Sequence, residues 1–245
     1  MARVLITGSA DGLGRHAAES LLSDGHEIVL HARSHERLRE VADLRDQGAY
    51  AVAGDLADLR GTRALAEQVN ALGHLDAVIH NAGAGIGSGS ILLAVNVVAP
   101  YVLTAATERP GRLIYLSSSM HRGGTPDVTG IDWTGATPTV DYADSKLLVT
   151  ALTMAIARRW PDVLSHAVDP GWVPTRMGGP DAPDDLTLGH VTQAWLAVSN
   201  DEAALVSGGY WHHQQQQDPH PATRDPAFQG QLLEALAKHT GIPLR

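Results

Sequence analysis

Tyr142 and Lys146 are the residues of this chain whose types and spacing most directly suggest chemistry. They stand four residues apart in Asp141-Tyr-Ala-Asp-Ser-Lys146, and positions i and i+4 share one face of an α-helix. A lysine ammonium beside a phenol favours the phenolate, so we expect it to lower the tyrosine pKa from its usual value of about 10. The pair is therefore a candidate general acid–base that gives a proton to a reacting oxygen near neutral pH.

The segment Thr7-Gly-Ser-Ala-Asp-Gly-Leu-Gly14 is typical of a nucleotide-phosphate loop. It falls between the first predicted strand and the first predicted helix, where glycines permit a tight turn and a helix N-terminus offers N–H groups to a pyrophosphate. The alternative is an ordinary strand–helix turn, because the glycine spacing differs from Gly-x-Gly-x-x-Gly. A phosphate loop and a tuned acid together are the equipment for hydride transfer with a nicotinamide cofactor.

The end of the second predicted strand favours NADP(H) over NAD(H). An acidic residue near this place usually holds a ribose 2′-hydroxyl, whereas an arginine holds a 2′-phosphate. Here the strand ends at Ala32 and Arg33 follows, with Arg15 and Arg37 as further candidate charges. The alternative for Arg33 is a solvated charge after a strand.

Polar side chains near other strand ends extend the candidate site. Asp55 follows the third strand and is either an acceptor for an adenine amino group or, like Asp58, a helix cap. Ser117-Ser-Ser119 ends the fifth strand, at the edge where parallel sheets bind ligands; the alternative is that these serines only close the strand. Asn96 interrupts an apolar helical stretch, and a buried amide needs partners. It is either a satisfied core residue or a member of a proton relay that holds water near Lys146.

The bulk composition fits one large α/β domain. The chain has 245 residues, 44% of them hydrophobic, and a formal net charge of −9, which disfavours nonspecific nucleic-acid binding. It has no cysteine, which excludes disulfides, Cys-ligated zinc and thiol catalysis. No apolar run approaches the ~20 residues of a membrane span. A strand pattern from the start leaves no room for a signal peptide, so we expect a cytoplasmic protein without a membrane partner.

Short apolar runs alternate with helix-length stretches, which predicts a doubly wound parallel sheet of the Rossmann type with helices on both faces. The strands are expected at Val4–Ile6, Ile28–Leu30, Ala51–Ala53, Ala77–Ile79, Leu113–Leu116 and Ser165–Val168. The helices are expected at Gly14–Ser23, Glu36–Gln47, Leu59–Leu72, Ile91–Thr107, Asp141–Arg159 and Ala227–His239. We predict a single domain over residues 1–245, with a mobile substrate loop at about Gly171–Leu188 and a C-terminal tail from about His212 that is irregular to Asp225.

In this order and at these spacings, the motifs resemble the single-domain short-chain dehydrogenase/reductase family over roughly Ala2 to Trp211. The resemblance rests on Thr7–Gly14, Asp55-Leu56, Asn81-Ala-Gly83, Asn96, the serine-ended strand, Tyr142-x3-Lys146 and Pro170-Gly171 followed by Thr175. It implies an NADP(H)-dependent carbonyl reductase or alcohol dehydrogenase. The alternative is a nonenzymatic dinucleotide sensor or scaffold of the same fold, which the retained acid–base residues disfavour.

The resemblance also implies roles for individual residues. Tyr142 is the expected general acid–base, Lys146 binds the nicotinamide ribose and tunes Tyr142, and Asn96 completes the relay. Ser118 is expected to orient the substrate carbonyl, with a neighbouring serine as the alternative. The expected cofactor-binding residues are Gly8, Ser9, Asp11, Gly12, Leu13, Gly14, Arg33, Asp55, Leu56, Asn81, Ala82, Gly83, Tyr142, Lys146, Pro170, Gly171, Val173 and Thr175.

The chain departs from the family pattern before the candidate acid. The gap between Ser118 and Tyr142 is longer than in many members, and the insertion His121–Val140 resembles the retinol-dehydrogenase-like branch. The segments on both sides of Asn96 are short, which puts the family's usual dimer interface in doubt and leaves a homo-oligomer open.

The substrate is expected between the insertion His121–Val140, the loop Gly171–Leu188 and the tail. An apolar wall there would suit a hydrophobic or bulky carbonyl compound or alcohol, although each candidate is also compatible with ordinary packing. The candidates for this wall are Trp133, Trp172, Met177 and Trp211. The histidines of the tail, His212, His213 and His220, show no clear metal-ligand spacing, so we expect no metal.

Overall fold

One eight-stranded sheet runs through the computed structural model, which describes residues 1–244. Its strands are β1 (Arg3–Ile6), β2 (Glu27–Ala32), β3 (Tyr50–Ala53), β4 (Ala77–His80), β5 (Arg112–Leu116), β6 (Leu164–Asp169), β7 (Tyr210–His212) and β8 (Gln215–Gln217). The spatial order is β3-β2-β1-β4-β5-β6-β7-β8, and only the β7–β8 pair is antiparallel. The strand order reverses between β1 and β4, and doubly wound sheets bind ligands outside the carboxyl ends of the strands at such a point.

Helices cover both faces of this sheet. They are α1 (Gly12–Ser23), α2 (Ala42–Asp46), α3 (Leu59–Ala71), α4 (Ile91–Leu93), α5 (Ala99–Ala106), α6 (Tyr142–Arg159), α7 (Val191–Val198) and α8 (Pro226–Thr240). Short 3₁₀ segments occur at Arg37–Val41, Ser119–Gly123, Glu202–Leu205 and Pro221–Arg224.

The sheet separates two hydrophobic cores, and β1 contributes to both. Leu5 packs in the core that includes α3, α5, α6 and α8, whereas Val4 and Ile6 pack in the core that includes α1 and α7. Successive side chains of a strand point to opposite faces, so a strand covered on both sides must be apolar throughout. The predicted doubly wound parallel sheet with helices on both faces is therefore confirmed.

The second half of the chain contains elements that the sequence pattern did not predict. Helix α7 was not predicted, and the tail expected to be irregular from His212 instead contains β8, which pairs with β7. The turn between them holds His213 and Gln214 at φ 47° and 60°. Two-residue hairpin turns favour glycine or asparagine at such positions, so this turn carries no sequence signal. The helix predicted over Glu36–Gln47 is instead a 3₁₀ segment followed by α2.

The helix that carries Asn96 is not regular. A π-helical turn at Ala94–Val98 joins α4 to α5. Pro100 has no N–H to donate to the carbonyl of Asn96 four residues earlier, and its ring would clash with that carbonyl in a regular α-helix. A local π turn is a known way to accommodate such an interruption, and it is frequent at functional sites.

Candidate active site

Helix α6 begins at Tyr142 because the preceding residues cap it. The Asp141 side chain accepts a hydrogen bond from the Asp144 N–H at 2.8 Å, and the Asp144 side chain accepts one from the Asp141 N–H at 3.0 Å. This reciprocal cap satisfies two N–H groups at the helix start. It fixes Tyr142 in the first turn and Lys146 one turn further on. The Lys146 ammonium lies 5.5 Å from the centroid of the Tyr142 ring.

Lys146 is buried and bridges α6 to the end of β5. Its Nζ donates a hydrogen bond to the Leu116 carbonyl oxygen at 2.8 Å. Burial lowers the pKa of Lys146 to about 8, and the Asp169 carboxylate partly opposes that shift. The ammonium form is therefore still the main form at neutral pH.

The expectation of a lowered tyrosine pKa is wrong for this structure. Burial raises the pKa of Tyr142 above its ordinary value, the Ser118 hydroxyl lowers it through a hydrogen bond, and the Asp169 carboxylate raises it. Desolvation disfavours the phenolate, and the sequence spacing gives no measure of it. The phenol of Tyr142 is therefore protonated at neutral pH.

The two serines at the end of β5 have different surroundings. The Ser117 hydroxyl is buried and lies 2.6 Å from the Thr150 hydroxyl, inside the contact between β5 and α6. The Ser118 hydroxyl lies close enough to Tyr142 to lower the pKa of its phenol, and it accepts a hydrogen bond from the Met120 N–H at 3.3 Å. Ser118 is thus the serine that neighbours the candidate acid.

Asn96 holds the segment after β4 against α6. Its Oδ1 accepts from the Ala84 N–H at 2.7 Å, and its Nδ2 donates to the Ala84 carbonyl at 3.0 Å and to the Ser145 hydroxyl at 3.0 Å. Both N–H groups of the side-chain amide therefore have protein partners, and its oxygen accepts one hydrogen bond. The helix backbone is widened at Asn96.

Gly83 marks the place where the predicted polar residues converge. A Cβ built on Gly83 would lie 3.6 Å from Asn96 Oδ1, 3.8 Å from Lys146 Nζ and 3.5 Å from Met177 Cε. The segment Asn81-Ala-Gly83, the Asn96 helix and the Lys146 side chain therefore line one small volume at the carboxyl edge of the sheet.

The glycine turn after β1 has a shape that only small residues permit. Gly8 has φ 66°, and a Cβ built on it would lie 2.9 Å from the Ala82 Cα. A Cβ on Gly14 would lie 2.6 Å from the Gly8 carbonyl oxygen. By contrast, a Cβ on Gly12 would meet only Thr175, at 3.6 Å and beyond. The turn therefore offers open backbone at the N-terminus of α1, which suits a dinucleotide pyrophosphate.

Two of the predicted cofactor residues in this turn have other partners. Ser9 is fully buried; its N–H donates to the His31 carbonyl at 3.1 Å, and its hydroxyl accepts from the His31 N–H at 2.8 Å. Ser9 thus joins the turn to β2 and is not available to a ligand. The Asp11 carboxylate pairs with Arg37 at 3.0 Å and Arg176 at 3.6 Å, so its side chain belongs to an ion-pair cluster. Leu13 packs toward Gly189.

The residues after β3 separate into a cap and a candidate ligand. Asp58 is the N-cap of α3 and accepts from the N–H groups of Arg60 and Gly61. Asp55 is exposed, and one of its oxygens accepts from the Ala57 N–H at 2.9 Å, which leaves its other oxygen for a ligand. Leu56 is buried in the core, so its contribution to an adenine site is limited to its backbone.

The arginines near the end of β2 also differ in availability. Arg15 pairs with Glu19 at 2.8 Å and with Asp43 at 2.5 Å. Arg37 pairs with Glu40 at 2.6 Å as well as with Asp11. The expectation that these two arginines add free charge is therefore wrong. Arg33 is exposed and has no ion-pair partner within residues 1–244.

The segment after β6 folds over the glycine turn. Gly171 has φ 84°, buried Val173 accepts from the Thr175 N–H at 2.8 Å, and Thr175 lies beside Gly12. Met177 lies beside Gly83 and Gly85. Trp172 is 60% exposed, and its indole N–H donates to the Gly178 carbonyl at 2.8 Å. The loop Gly171–Leu188 therefore bridges the phosphate turn and the Lys146 end of the site.

We expect this loop to be mobile without ligands and to become ordered in the ternary complex. Its contact to the phosphate turn includes the Arg176–Asp11 pair, which is exposed and therefore weak. Hydrogen exchange of residues 171–188 should slow when NADPH and a carbonyl substrate are both bound. Exchange that is already slow in the free protein and unchanged by ligands would make the loop a fixed wall.

Two of the four residues predicted to form an apolar wall lie elsewhere. Trp211 is 2% exposed and packs edge-to-face on Trp195, with ring centroids 5.3 Å apart. Trp133 packs against the core near Leu56 and Val98, on the outer side of the Asn96 helix. The expectation that these two tryptophans face the substrate is wrong, because Trp211 is buried in β7 and Trp133 packs against the hydrophobic core. Trp172 and Met177 remain on the candidate substrate loop.

Sequence reasoning missed a buried polar group behind the site. Asp169 is 6% exposed at the end of β6, where its carboxylate accepts from the Tyr210 hydroxyl at 3.3 Å and from the Gly171 N–H at 3.1 Å. His212 Nδ1 lies 3.8 Å from the same carboxylate. Asp169 acts electrostatically on both Tyr142 and Lys146. Its position directly after a predicted strand and before Pro170-Gly171 was the signal that would have identified it.

A second missed residue supports Ser118. His121 is fully buried; its Nδ1 lies 2.7 Å from the Ser118 carbonyl oxygen, and its Nε2 accepts from the His220 N–H at 3.0 Å. The tail is therefore connected to the Ser118 backbone through this ring.

Within residues 1–244, no group of three or more histidine, aspartate or glutamate side chains is arranged to hold a metal ion. No helix in the same range is long and apolar enough to cross a membrane.

The comparisons with known proteins agree with this geometry. Residues 2–185 match the family model described as short chain dehydrogenase. The chain is 37% identical over 257 residues to a short-chain dehydrogenase of Gibberella zeae, with 100% of this chain and 99% of that protein covered. It is 31% identical over 269 residues to a Streptomyces protein assigned as a daunorubicin C-13 ketoreductase, with 99% and 93% covered.

A solved structure of an uncharacterised Mycobacterium paratuberculosis protein has the same fold. It superposes with a TM-score of 0.81 at 20% identity, covering 100% of this chain and 95% of that one. The chain belongs to the short-chain dehydrogenase family, whose members are oxidoreductases that bind a nicotinamide dinucleotide.

Proposed function

We propose that this protein is an NADP(H)-dependent oxidoreductase that reduces a ketone or aldehyde to an alcohol, or catalyses the reverse reaction. The observation that carries the proposal is the position of the Ser118 hydroxyl beside the Tyr142 phenol, next to the buried ammonium of Lys146. These groups lie at the carboxyl edge of the sheet, next to a glycine turn suited to a pyrophosphate.

The residues divide the work of carbonyl reduction among them. When bound, the nicotinamide dinucleotide supplies the hydride that adds to the carbonyl carbon. Ser118 donates a hydrogen bond to the carbonyl oxygen, and Tyr142 transfers its phenolic proton to that oxygen as negative charge develops. The Lys146 cation stabilises the phenolate that remains and offers the N–H groups not used by Leu116 to the ribose.

The charge distribution at the end of β2 supports a preference for NADP(H). The last residue of β2 is Ala32, which is not acidic. Arg33 is exposed, and within residues 1–244 no carboxylate forms an ion pair with it. Arg15 and Arg37 are already paired, so Arg33 is the one arginine of this group that is free to meet a 2′-phosphate.

Replacing Arg33 by alanine should weaken NADPH binding about five- to tenfold and change NADH binding little, because one exposed charge-assisted contact is lost. Arg45→Ala is a matched control, since it removes an exposed arginine from α2. Titration calorimetry of both cofactors with both variants measures the effect. Equal losses for NADPH and NADH in the Arg33 variant would count against this assignment.

The surroundings of the site support a hydrophobic or bulky substrate. Large apolar side chains are exposed on the loops that follow β4, β5 and β6, which leave the sheet at its carboxyl edge: Ile86, Met120, Trp172, Met177 and Leu188. Exposed apolar side chains clustered at a cleft are typical of a ligand site. The relative assigned as a daunorubicin C-13 ketoreductase supports testing ketones on large ring systems as the first candidate substrates.

The proposed function can be tested by following NADPH oxidation with a panel of aromatic, polycyclic and aliphatic carbonyl compounds. We expect turnover on bulky apolar members that is faster with NADPH than with NADH. Tight cofactor binding without turnover on any member, or on the corresponding alcohols with NADP⁺, would favour a dinucleotide sensor or scaffold instead.

A further inference from the structure

His31 lies buried at the end of β2, between the glycine turn and the end of β3. It is 3% exposed. Its Nδ1 accepts the Gly8 N–H at 2.9 Å, and its Nε2 lies 2.9 Å from the Gly54 carbonyl oxygen. Because the backbone N–H of Gly8 is a donor and the carbonyl of Gly54 is an acceptor, the ring must be neutral with its proton on Nε2.

The same glycine is held from its other side by Asn81. The Asn81 amide donates to the Thr7 carbonyl at 2.9 Å and to the Gly8 carbonyl at 3.2 Å. Buried Gln193 on α7 lies behind it, with its Nε2 3.4 Å from Asn81 Oδ1. A continuous chain of polar contacts therefore passes from α7 through Gly8 to the end of β3, beneath the turn that faces the pyrophosphate.

We propose that neutral His31 is a positioning residue of the cofactor site. It holds the Gly8 peptide in the left-handed conformation that opens the turn, and it ties that turn to Gly54, which directly precedes Asp55. The His31 ring thereby fixes the position of the pyrophosphate part of the site relative to the adenine part. The inference rests on the dinucleotide-binding role of this turn.

Acid should disrupt this arrangement. Protonation would turn Nδ1 of His31 from an acceptor into an N–H donor. It would then face the Gly8 N–H, which is also a donor, and their hydrogen bond would be lost. The elements around the ring are the Gly8 turn, β3 and the residues after β3, and Asp55 is the titratable group among them that acts on it. Burial lowers the pKa of His31, against the Gly54 hydrogen bond and the Asp55 charge, which raise it. Cofactor affinity should therefore be constant near neutral pH and fall only below the ordinary histidine range.

Two substitutions distinguish the hydrogen bond at Nδ1 of His31 from the one at Nε2. In His31→Asn the side-chain oxygen can lie near the former Nδ1 and still accept from Gly8. In His31→Gln the longer amide can reach the former Nε2 position and donate to Gly54, but it leaves the Gly8 N–H without its acceptor. Neither side chain titrates. His166→Asn is the control, because His166 is equally buried in β6 but bonds to Ala204 and Trp211.

The measurements are the NADPH Kd by calorimetry at neutral and mildly acidic pH, the Tm, and hydrogen exchange of residues 8–14 in the free protein. We expect His31→Asn to bind within about twofold of wild type and to lose the acid-dependent weakening. We expect His31→Gln to bind about tenfold more weakly and to exchange faster in the turn. His166→Asn should lower the Tm without changing Kd.

Equal losses of affinity in the two His31 variants that follow their Tm values, or wild-type affinity in both, would overturn the proposal. A wild-type protein that binds neither NADPH nor NADH would instead overturn the cofactor assignment itself. Failure to turn over any carbonyl compound leaves these binding measurements unaffected, so the two proposals fail separately.

Discussion

Replacing Tyr142 by phenylalanine should lower kcat for carbonyl reduction by about a thousandfold, within the range that general acid catalysis contributes, and leave NADPH affinity nearly unchanged. The substitution removes the phenolic oxygen with its proton but keeps the ring beside Lys146. Since burial raises the pKa of Tyr142, the wild-type phenol carries its proton throughout the neutral range. The loss should therefore appear in kcat at every pH near neutrality.

Tyr101→Phe is the matched control for this prediction. It deletes a phenol on α5 whose hydroxyl donates to the Ile242 carbonyl at 2.7 Å, away from the site. We expect it to reduce the free energy of unfolding by about 1 kcal/mol and to keep turnover. Near-wild-type turnover of Tyr142→Phe on a verified substrate would remove Tyr142 from the mechanism.

Ser118→Ala should lower kcat by about a hundredfold or more, the usual loss when one donor to a developing oxyanion is removed. Ser117→Ala is its neighbouring control. Thr150 donates to the Lys146 carbonyl at 2.7 Å, so the Ser117 hydroxyl donates to Thr150. Its loss should cost about 1 kcal/mol of stability with little effect on kcat.

Steady-state kinetics and thermal unfolding of the two serine variants measure this contrast. The structure predicts that activity falls in one variant and stability in the other. A large loss of kcat in Ser117→Ala with little loss in Ser118→Ala would show that the other hydroxyl orients the carbonyl.

The parallel core of the fold could be predicted from sequence because its strands are buried on both faces. Runs such as Val4–Ile6 and Ala77–Ile79 are apolar throughout, and each is bounded by turn residues. The β7–β8 hairpin could not be predicted in this way. Gln215–Gln217 is an exposed edge strand without an apolar face, and its turn is made by His213 and Gln214 at positive φ.

The site could be predicted where local spacing decides the geometry. The four-residue interval between Tyr142 and Lys146 sets their distance on α6, and the glycines of the phosphate turn are required by close backbone contacts. Spacing does not reveal burial or contacts between distant segments. The raised pKa of Tyr142, the carboxylate of Asp169 behind it and the buried position of Trp211 all depend on how β6, β7 and α6 pack together.

The sequence-based prediction was also wrong where a polar side chain could bind either the cofactor or another protein group. Ser9 and Arg37 have the residue types expected of a nucleotide site, but they bond to His31 and to Asp11 with Glu40. A protein partner that is close in space and distant in sequence cannot be recognised from residue type alone. His31 precedes the last residue of β2, and only the structure shows that both of its ring nitrogens have partners.

The most direct test of the account is the transfer of deuterium from NADPH labelled at nicotinamide C4 to a carbonyl compound identified in the panel. The wild-type protein should place deuterium on the carbinol carbon of the alcohol, and Tyr142→Phe should bind the labelled cofactor but form product about a thousandfold more slowly. An alcohol product without deuterium from either C4 position, or equal rates for the two proteins, would contradict hydride transfer with Tyr142 as the proton donor.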